Sequence, residues 1–309
     1  MGNSNSERRT TILVTGATGT VGNEVVKQLS SILPSSSRYN IRAATHSQNK
    51  TGRLKQFGNN IVETADLDYT KPETVAHALN KVDKLFLQTL PIPNVTDIII
   101  SNLVKEAKKN DVKHIVKLSA MGADSEPGST ILQLHGKEEK IIQESGIPYT
   151  FLRPAAFMQN FVTQFGYTIR TQNAFYVPAG DAKMSFVDVR DVADIASTIL
   201  TNNHGGSQKH VNKAYDITGK DALSYSQAAE ILSSEIGKKI SYRDVTEEDA
   251  RKGMKQLGAD DWFIDVILEL FRITRAGYGS QTTTTVEHLV RRKPISFSQF
   301  AKDYAPAFK

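Results

Sequence analysis

Short apolar runs alternate with stretches of helical periodicity through the first half of this 309-residue chain. This alternation is typical of repeated strand–helix–strand units, so we expect a parallel sheet with helices on both of its faces. The predicted strands are Thr11–Thr15, Asn40–Thr45, Asn60–Ala65, Lys84–Gln88, Lys113–Leu118 and Pro148–Leu152. The helices between them are predicted at about 20–33, 49–57, 72–80, 96–109 and 130–145.

The pattern changes beyond residue 153, where the irregular links become longer and helices dominate. Residues 186–193 are predicted to form a strand that ends in a helix cap, and Lys213–Thr218 to form one further strand. The other predicted elements are the helices Ser224–Ile236, Thr246–Leu257, Asp260–Thr274 and Ser296–Ala305. This half therefore predicts a smaller, mainly helical cap over the edge of the sheet, a usual place for a ligand pocket.

The first predicted strand runs directly into three glycines at positions 16, 19 and 22. In a strand–turn–helix unit, the first glycine permits a tight turn, the second lets the backbone approach a pyrophosphate, and the third lets the helix pack on the strand. The amide groups that begin the helix then face the phosphates, so a nucleotide is the expected ligand. The alternative is a glycine-rich turn without a ligand. The residues of the predicted cradle are Gly16, Ala17, Thr18, Gly19, Thr20, Val21 and Gly22.

These features predict an α/β fold, a Rossmann-like doubly wound parallel sheet with a smaller, mainly helical C-terminal cap. We predict a disordered tail at 1–10, a dinucleotide-binding domain from 11–155 with about 184–218, and a substrate-binding cap from about 156–183 with 219–309. Such sheets bind ligands at the carboxyl ends of their strands, where the strand order reverses. The side chains expected at that edge are those of His46, Asp66, Gln88, Thr89, Ser119 and residues 153–160.

The segment after the glycines favours one cofactor over another. An NAD site usually places Asp or Glu about 20 residues past the glycines, on the ribose 2′-hydroxyl. Here no acidic residue occurs between Glu24 and Glu63, and the basic residues His46 and Lys50 flank Ser47 just past the second predicted strand. A 2′-phosphate would lie at this place, so the sequence favours NADP (NADPH) over NAD. The alternative is that the basic residues of this segment are solvated surface charges.

Composition narrows the function classes. The chain has no cysteine, which excludes disulfides, thiolate catalysis and cysteine-ligated metal centres, and is compatible with a cytoplasmic protein. No apolar stretch approaches the length of a membrane helix, and the histidines show no metal-binding spacing. The net charge of +5 suits an anionic cofactor, and no nucleic-acid-binding module accompanies it. We therefore expect a small-molecule acceptor and no metal, nucleic-acid or membrane partner, and leave a homodimer open.

The first residues match the pattern for N-myristoylation at Gly2, with Ser6 in place. A polar tail before the first strand is the alternative explanation of the same residues.

Five segments carry further information: 15–22, Ala65-Asp-Leu-Asp68, Gly146-Ile-Pro-Tyr-Thr-Phe-Leu-Arg-Pro154, Phe157-Met-Gln-Asn160 and Val187-Asp-Val-Arg-Asp-Val192. Together they resemble the NmrA-like branch of the atypical short-chain dehydrogenases. Within that branch the chain is most similar to the NAD(P)H-dependent quinone reductase, triphenylmethane reductase and azoreductase group, over about residues 11 to 300. The glycine motif is widely shared, whereas the third and fourth segments, which lie between Gly146 and Asn160, are more specific.

The resemblance implies roles for particular residues. The glycine turn would hold the pyrophosphate, Asp66 and Leu67 would flank the adenine, and residues 154–160 would line the nicotinamide end. The candidates at that end are Pro154, Phe157 and Asn160. His46 stands where relatives often carry an arginine for the 2′-phosphate; since neutral imidazole is a poorer phosphate partner, Lys50 is expected to compensate.

The chain departs from the wider superfamily in its proton chemistry. None of its ten tyrosines has a lysine four residues later, so the Tyr-x-x-x-Lys relay of carbonyl reductases is absent as a local motif. Some relatives use a lysine on the helix before Gly146, and the matching position is His135, with Lys137 two residues on. His135 and Lys137 are the candidate catalytic residues. His135 shares a predicted helix face with Ile131 and Ile142, so a core histidine is the alternative.

A function follows from these points. Hydride transfer to an electron-poor quinone, azo dye or cationic dye asks little of a protein acid, so the absence of a relay fits an NAD(P)H-dependent oxidoreductase acting on a planar conjugated acceptor. The absence fits equally a non-catalytic NAD(P)-binding redox sensor, since the branch includes regulators. An epimerase or isomerase on the same fold is the third hypothesis.

Overall fold

The structure is a computed structural model. It describes residues 8–34, 36–46, 52–55, 57, 62–89, 92, 95–123, 129–201 and 207–309. Within this part of the chain, no helix is long and apolar enough to cross a lipid bilayer.

The chain divides into two compact units. The first comprises Met1–Ser119, Leu134–Leu152 and Val192–Tyr215, and the second comprises Ala120–Gln133, Arg153–Asp191 and Asp216–Lys309. This grouping assigns residues 120–133, 153–155, 184–191 and 216–218 to the second unit, whereas the sequence analysis expects them in the dinucleotide-binding domain.

Eleven strands and thirteen α-helices are described. The strands are β1 Thr10–Val14, β2 Tyr39–Thr45, β3 Val62–Asp66, β4 Lys84–Leu87, β5 His114–Leu118, β6 Tyr149–Pro154, β7 Ala174–Val177, β8 Lys183–Met184, β9 Lys213–Ile217, β10 Leu223–Ser224 and β11 Ser241–Asp244. The helices are α1 Thr20–Ile32, α2 Gly52–Lys55, α3 Pro72–Leu79, α4 Thr96–Lys109, α5 Thr130–Glu144, α6 Asn160–Thr163, α7 Gly166–Gln172, α8 Val189–Thr201, α9 Tyr225–Ile236, α10 Glu247–Gln256, α11 Asp261–Arg275, α12 Thr285–Val290 and α13 Phe297–Asp303.

Seven strands form one parallel sheet in the order β3-β2-β1-β4-β5-β6-β9. The chain builds outward from β1 to β3 and then returns to place β4 on the other side of β1, so the strand order reverses between β1 and β4. The carboxyl ends of β1 and β4 therefore define the crevice in which a sheet of this kind binds its ligand. The doubly wound sheet predicted from the sequence is confirmed.

Apolar helix stripes cover this sheet. Helix α1 buries Val21, Val25, Val26 and Leu29, which recur at helical spacing. Another layer joins the central strands to α3 and α4 through a cluster that includes Leu85, Leu87 and Leu103.

The second unit has its own core, in which aromatic rings predominate. Phe161 makes edge-to-face contacts with Phe165, Phe175 and Phe297 at centroid distances of 5.5, 5.4 and 5.0 Å, an arrangement that aromatic quadrupoles favour. Two small ribbons complete the unit: β7 pairs with β11, and β8 with β10.

The predicted strands of the first half are confirmed with shifts of one or two residues at their ends, although residues 60 and 61 lie outside the described part. The predicted strand at 186–193 is wrong. Val187 makes only an isolated bridge with Phe157, and α8 begins two residues later. Asp188 stops the extended backbone there because its carboxylate accepts the amide of Arg190 at 2.9 Å and caps the helix.

The N-terminal tail is shorter than predicted among the described residues. Arg8 pairs with Asp83 at 2.5 Å, and β1 begins at Thr10. Gly2, the predicted myristoylation position, and the rest of 1–7 lie outside the described residues.

Candidate functional site

The glycine turn between β1 and α1 is as tight as its sequence predicts. Gly16 adopts a φ of +60°, which favours glycine, and its carbonyl accepts the amide of Gly19 at 2.8 Å. A Cβ added at Gly22 would lie 2.2 Å from that same carbonyl oxygen. A side chain at position 22 would therefore force the turn and the helix apart.

The first turn of α1 suits an anion. Its N-cap residue is Gly19, no side chain caps the helix there, and the first turn holds no acidic residue. The amide groups that begin a helix have no partner within it, and they carry the positive end of the helix dipole. These residues fit the pyrophosphate of a dinucleotide, which needs donors and close backbone approach.

Gln88, at the carboxyl end of β4, lies over the turn. A Cβ added at Gly16 would lie 3.1 Å from its Cδ, and one at Gly19 would lie 3.6 Å from its Nε2. Its backbone is held by Thr15 and by the Tyr69 hydroxyl, which donates to the Gln88 carbonyl at 2.9 Å. The side-chain Oε1 is buried and has no hydrogen-bond partner among the described residues. A buried acceptor without a partner beside the turn fits a ligand that supplies a hydrogen-bond donor.

The carboxyl ends of β2 and β3 lie side by side. Thr45 pairs in register with Asp66, and the amide of Leu67 donates to the Thr45 carbonyl at 3.1 Å. Asp66 is exposed and Leu67 is buried, so an adenine would find one polar and one apolar neighbour here. The structure thus places His46, Asp66 and Leu67 at the adjacent ends of β2 and β3.

His46 has an acidic neighbour that the sequence analysis did not foresee. Its Nε2 lies 3.6 Å from a carboxylate oxygen of Asp68, and its side chain is 78% exposed. Hydrogen bonds from Thr70 lower the pKa of Asp68, so this carboxylate is ionised. Asp68 would partly offset the attraction of His46 for a 2′-phosphate. Ser47 and Lys50, the other residues predicted for that phosphate, lie outside the described residues.

A buried ionic cluster lies between β5 and α5. The ammonium of Lys117 is 2.8 Å from Oε2 of Glu138, and both side chains are fully buried. The hydroxyl of Thr89 donates to Oε1 of Glu138 at 2.7 Å, while Nδ1 of His135 lies 3.3 Å from Oε2. Because Thr89 follows Gln88, the cluster is continuous with the chain that lies over the glycine turn.

The cluster sets the charge of each member. Burial raises the pKa of Glu138, but the Lys117 ammonium and the His135 contact outweigh it and lower that pKa to about 2. Burial lowers the pKa of His135, and Lys117 lowers it further, against the opposite effect of Glu138 and Glu139. At neutral pH the cluster therefore holds a charged Lys117–Glu138 pair and a neutral imidazole whose Nδ1 faces the carboxylate.

The side chains of His135 and Lys137 do not face the same site. Two residues turn an α-helix by about 200°, so their side chains point to opposite sides of α5. Accordingly, His135 retains only 12% of its side-chain exposure and Lys137 is exposed to solvent. Glu139 lies one turn after His135 on the same buried side of α5. Its carboxylate accepts the hydroxyl of Ser119 at 2.5 Å, and this hydrogen bond orients Ser119, the site residue predicted at the end of β5.

The predicted nicotinamide-end residues share one turn of the second unit. Pro154 ends β6, Phe157 pairs with Val187, and Asn160 begins α6, its amide donating to the Phe157 carbonyl at 3.1 Å. Pro154 is buried, whereas Phe157 and Asn160 are partly exposed.

Gln159 fastens this turn to the start of α8. Its side-chain amide donates to buried Asp188 at 2.9 Å and accepts the amide of Val189 at 3.0 Å. Arg190 completes the anchor by pairing with Asp188 at 2.8 Å and with Asp303 at 2.6 Å. These contacts therefore connect two of the segments that carry the family resemblance.

Sequence reasoning missed Lys117 and Glu138, and it included Gln159 in the range 153–160 without assigning it a role. One signal was available for Lys117: a lysine inside the apolar run of β5 must either reach solvent or meet a buried acid. Glu138 gives no such signal, because a carboxylate on a charged helix is usually solvated. Across the described ranges, no group of three or more His, Asp or Glu side chains is placed to hold a metal ion.

The chain is similar to known proteins over nearly its whole length. A sequence model of the NmrA-like family matches residues 8–300. NAD(P)H azoreductase of Xenophilus azovorans is 34% identical over 297 residues, which cover 96% of this chain and 99% of that protein.

Solved structures give the same result. Citrobacter sp. triphenylmethane reductase complexed with NADP(H) has a TM-score of 0.81 at 27% identity, covering 95% of this chain and 99% of its own. Escherichia coli NADPH-dependent quinone oxidoreductase complexed with NADPH has a TM-score of 0.80 at 25% identity, covering 94% and 99%. Since the family model spans nearly the whole chain and the azoreductase matches almost end to end, the chain belongs to the NmrA-like family.

Proposed function

We propose that this protein is an NAD(P)H-dependent oxidoreductase that transfers hydride to a planar conjugated acceptor such as a quinone or an azo or cationic dye. The observation that carries the proposal is the glycine turn, with its uncapped helix and the buried, unpartnered Oε1 of Gln88. The relatives that act on dyes and quinones support the acceptor class.

Each part of the cofactor has proposed partners. Residues 16–22 bind the pyrophosphate, Asp66 and Leu67 border the adenine, and Gln88 offers its acceptor beside the turn. Thr89 and Ser119, both fixed by acids of α5, complete the edge of the site in the first unit. The nicotinamide end is proposed for Pro154, Phe157 and Asn160. When bound, the nicotinamide supplies the hydride.

His135 is proposed to contact the reacting groups as a neutral imidazole. Since Nδ1 lies 3.3 Å from a carboxylate oxygen of Glu138, Nε2 is the nitrogen left to meet a ligand, and in the tautomer that carries its proton on Nδ1 it accepts rather than donates. A strong protein acid is therefore not available from His135 at neutral pH. This property suits an electron-poor acceptor, whose reduced form can take its proton from water or from another weak acid.

NADPH is proposed as the preferred cofactor. Strand β2 has no carboxylate that could bind the ribose 2′-hydroxyl of NAD, and basic residues follow that strand. The neighbouring Asp68 reduces the expected preference without removing it. A cytoplasmic location stays a prediction, with which the absence of cysteine is compatible, and a homodimer stays open.

Cofactor binding at the turn is tested by Gly19→Val. A Cβ at this position already lies 3.2 Å from the Gly16 carbonyl, and two further methyl groups would occupy the pyrophosphate space. Titration by nicotinamide fluorescence should show loss of NADPH binding in a folded variant. Gly253→Val is the matched control, because a Cβ at Gly253 meets nothing within 4 Å. Retained affinity in Gly19→Val would contradict the placement of the cofactor.

A further inference from the structure

A groove runs through the second unit between its two hydrophobic clusters. On one side lies the main aromatic core, to which Phe165 and Phe271 belong at the edge. On the other side lies a small cluster formed by α10 and α11 around Ala250, Ile264 and Leu268. The space between them, which we call the α10–α11 groove, has a volume of about 760 Å³.

The groove exposes large apolar side chains that ordinary folding would bury. Tyr167 and Tyr176 stand on the α7–β7 side, with 55% and 42% of their surface exposed. Leu257 and Phe263 stand on the opposite side, with 62% and 40% exposed. Scattered apolar residues are normal on a protein surface, but four that face one concavity mark a binding site.

The lining favours a flat aromatic ligand. Five of its side chains are aromatic rings, which prefer offset-stacked or edge-to-face contacts with another ring. Met254 adds a flexible thioether that adapts to an irregular shape and contacts rings well. The rings are Phe165, Tyr167, Tyr176, Phe263 and Phe271.

The charges around the groove favour an uncharged ligand. Its two charged lining residues, Asp249 and Lys252, have opposite signs and local partners. Lys252 pairs with Glu248 at 2.7 Å, and Asp249 accepts the Thr246 hydroxyl at 2.8 Å. Apart from the two tyrosines, the other polar lining side chains are neutral amides and hydroxyls, which can orient a carbonyl or hydroxyl substituent; they are Thr163, Gln164, Thr168, Gln172 and Gln256.

The helical wall of the groove is held in place before any ligand arrives. Arg272 of α11 pairs with Glu247 of α10 at 2.5 Å, and Arg251 pairs with Asp265. On the far side of α11, Glu269 accepts the backbone amide of Thr130 at 2.8 Å. A preformed wall avoids part of the ordering cost of binding.

We propose that the α10–α11 groove binds an uncharged, planar aromatic small molecule. Its volume falls within the range of about 300–1,000 Å³ that is usual for small-molecule pockets. The proposal depends only on residues of the second unit and does not rest on the proposed reductase activity.

The neutral fluorescent probe N-phenyl-1-naphthylamine tests this proposal, with saturating NADPH present to occupy the cofactor site. Its emission should rise on saturable binding to the full-length protein. A charge placed in the wall, as Leu257→Glu or Phe263→Glu, should weaken binding at least tenfold, because the probe would have to desolvate a carboxylate. Tyr278→Glu is the control: Tyr278 is 69% exposed and does not line the groove, so this variant should bind as the unmodified protein does.

Two outcomes would overturn the proposal. The first is unchanged probe affinity in both wall variants, shown to be folded by circular dichroism. The second is a fall in molecular mass on sedimentation of Leu257→Glu, which would make the groove an interface between copies of the chain. Turnover of NADPH is measured separately, so failure of the reductase hypothesis and failure of this one give different results.

Discussion

The Lys117–Glu138 pair predicts a large and unusual mutational effect. Both side chains are fully buried and their charged atoms are 2.8 Å apart. Glu138→Gln would leave the ammonium of Lys117 without its counterion in a site that water does not reach. Breaking a buried pair from one side costs about 3–5 kcal/mol, whereas an exposed pair is worth about 0–1 kcal/mol. Lys117→Met should be destabilising for the same reason, because it strands the carboxylate.

The double variant Lys117→Met/Glu138→Gln separates this explanation from simple loss of packing. It removes both charges and keeps an amide oxygen for the Thr89 hydroxyl, which donates to Oε1 at 2.7 Å. Replacement of a whole buried pair is often neutral, so the stability that the double variant loses should be smaller than the sum of the two single losses by about 3 kcal/mol or more.

Urea denaturation followed by circular dichroism measures the free energies of unfolding. Lys27→Met serves as a control, since Lys27 is 56% exposed and pairs with Glu24 on the surface of α1; it should change the free energy little. Single losses below about 1 kcal/mol, or a double variant that equals the sum of the singles, would refute the buried-pair explanation.

Three further predictions follow from individual residues. NADPH should bind about 10- to 100-fold more tightly than NADH in a fluorescence titration, since a charge-assisted hydrogen bond is worth about 1.5–3 kcal/mol. The double variant His46→Ala/Lys50→Ala should lose most of this difference. Equal affinities in the unmodified protein would contradict the phosphate site. His135→Gln should lower turnover by less than about tenfold with unchanged NADPH affinity, and a loss beyond about a thousandfold in a folded variant would reveal an essential proton donor. Burial lowers the pKa of His114 to about 4, against 6.5 in the unfolded chain, so its contribution to stability is full above pH 6.5 and falls by about 2 kcal/mol between pH 7 and pH 5. His114→Gln should therefore reduce the pH dependence of the free energy of unfolding over that interval by this amount. A pH dependence identical to that of the unmodified protein would contradict the assignment.

The pattern of the sequence predicted the large sheet because its strands are continuous apolar runs separated by periodic helices. The glycine turn was equally predictable. The spacing of the three glycines indicates which position needs a positive φ and which one needs the helix to pack closely on the strand. The ribbons formed by β7, β8, β10 and β11 escaped prediction because each has at most four residues, too few to show a period of two.

The chemistry of the site was predicted less completely than its location. The environment of His135 depends on Lys117, a residue 18 positions away on a different element that only folding brings near. The effect of Asp68 on His46 likewise depends on how β2 and β3 align at their carboxyl ends. Such tertiary contacts decide protonation, and local periodicity carries no information about them.

The measurement that tests the central claim most directly is the oxidation of NADPH by the purified protein, followed by absorbance at the nicotinamide band as quinones, azo dyes and triphenylmethane dyes are added in turn. We predict acceptor-dependent NADPH oxidation in the unmodified protein with at least one of these acceptors, and its loss in Gly19→Val but not in the surface variant Lys27→Met. NADPH that binds at the turn but is oxidised by no acceptor of the panel would contradict the proposed reductase and favour a cofactor-binding protein without this chemistry.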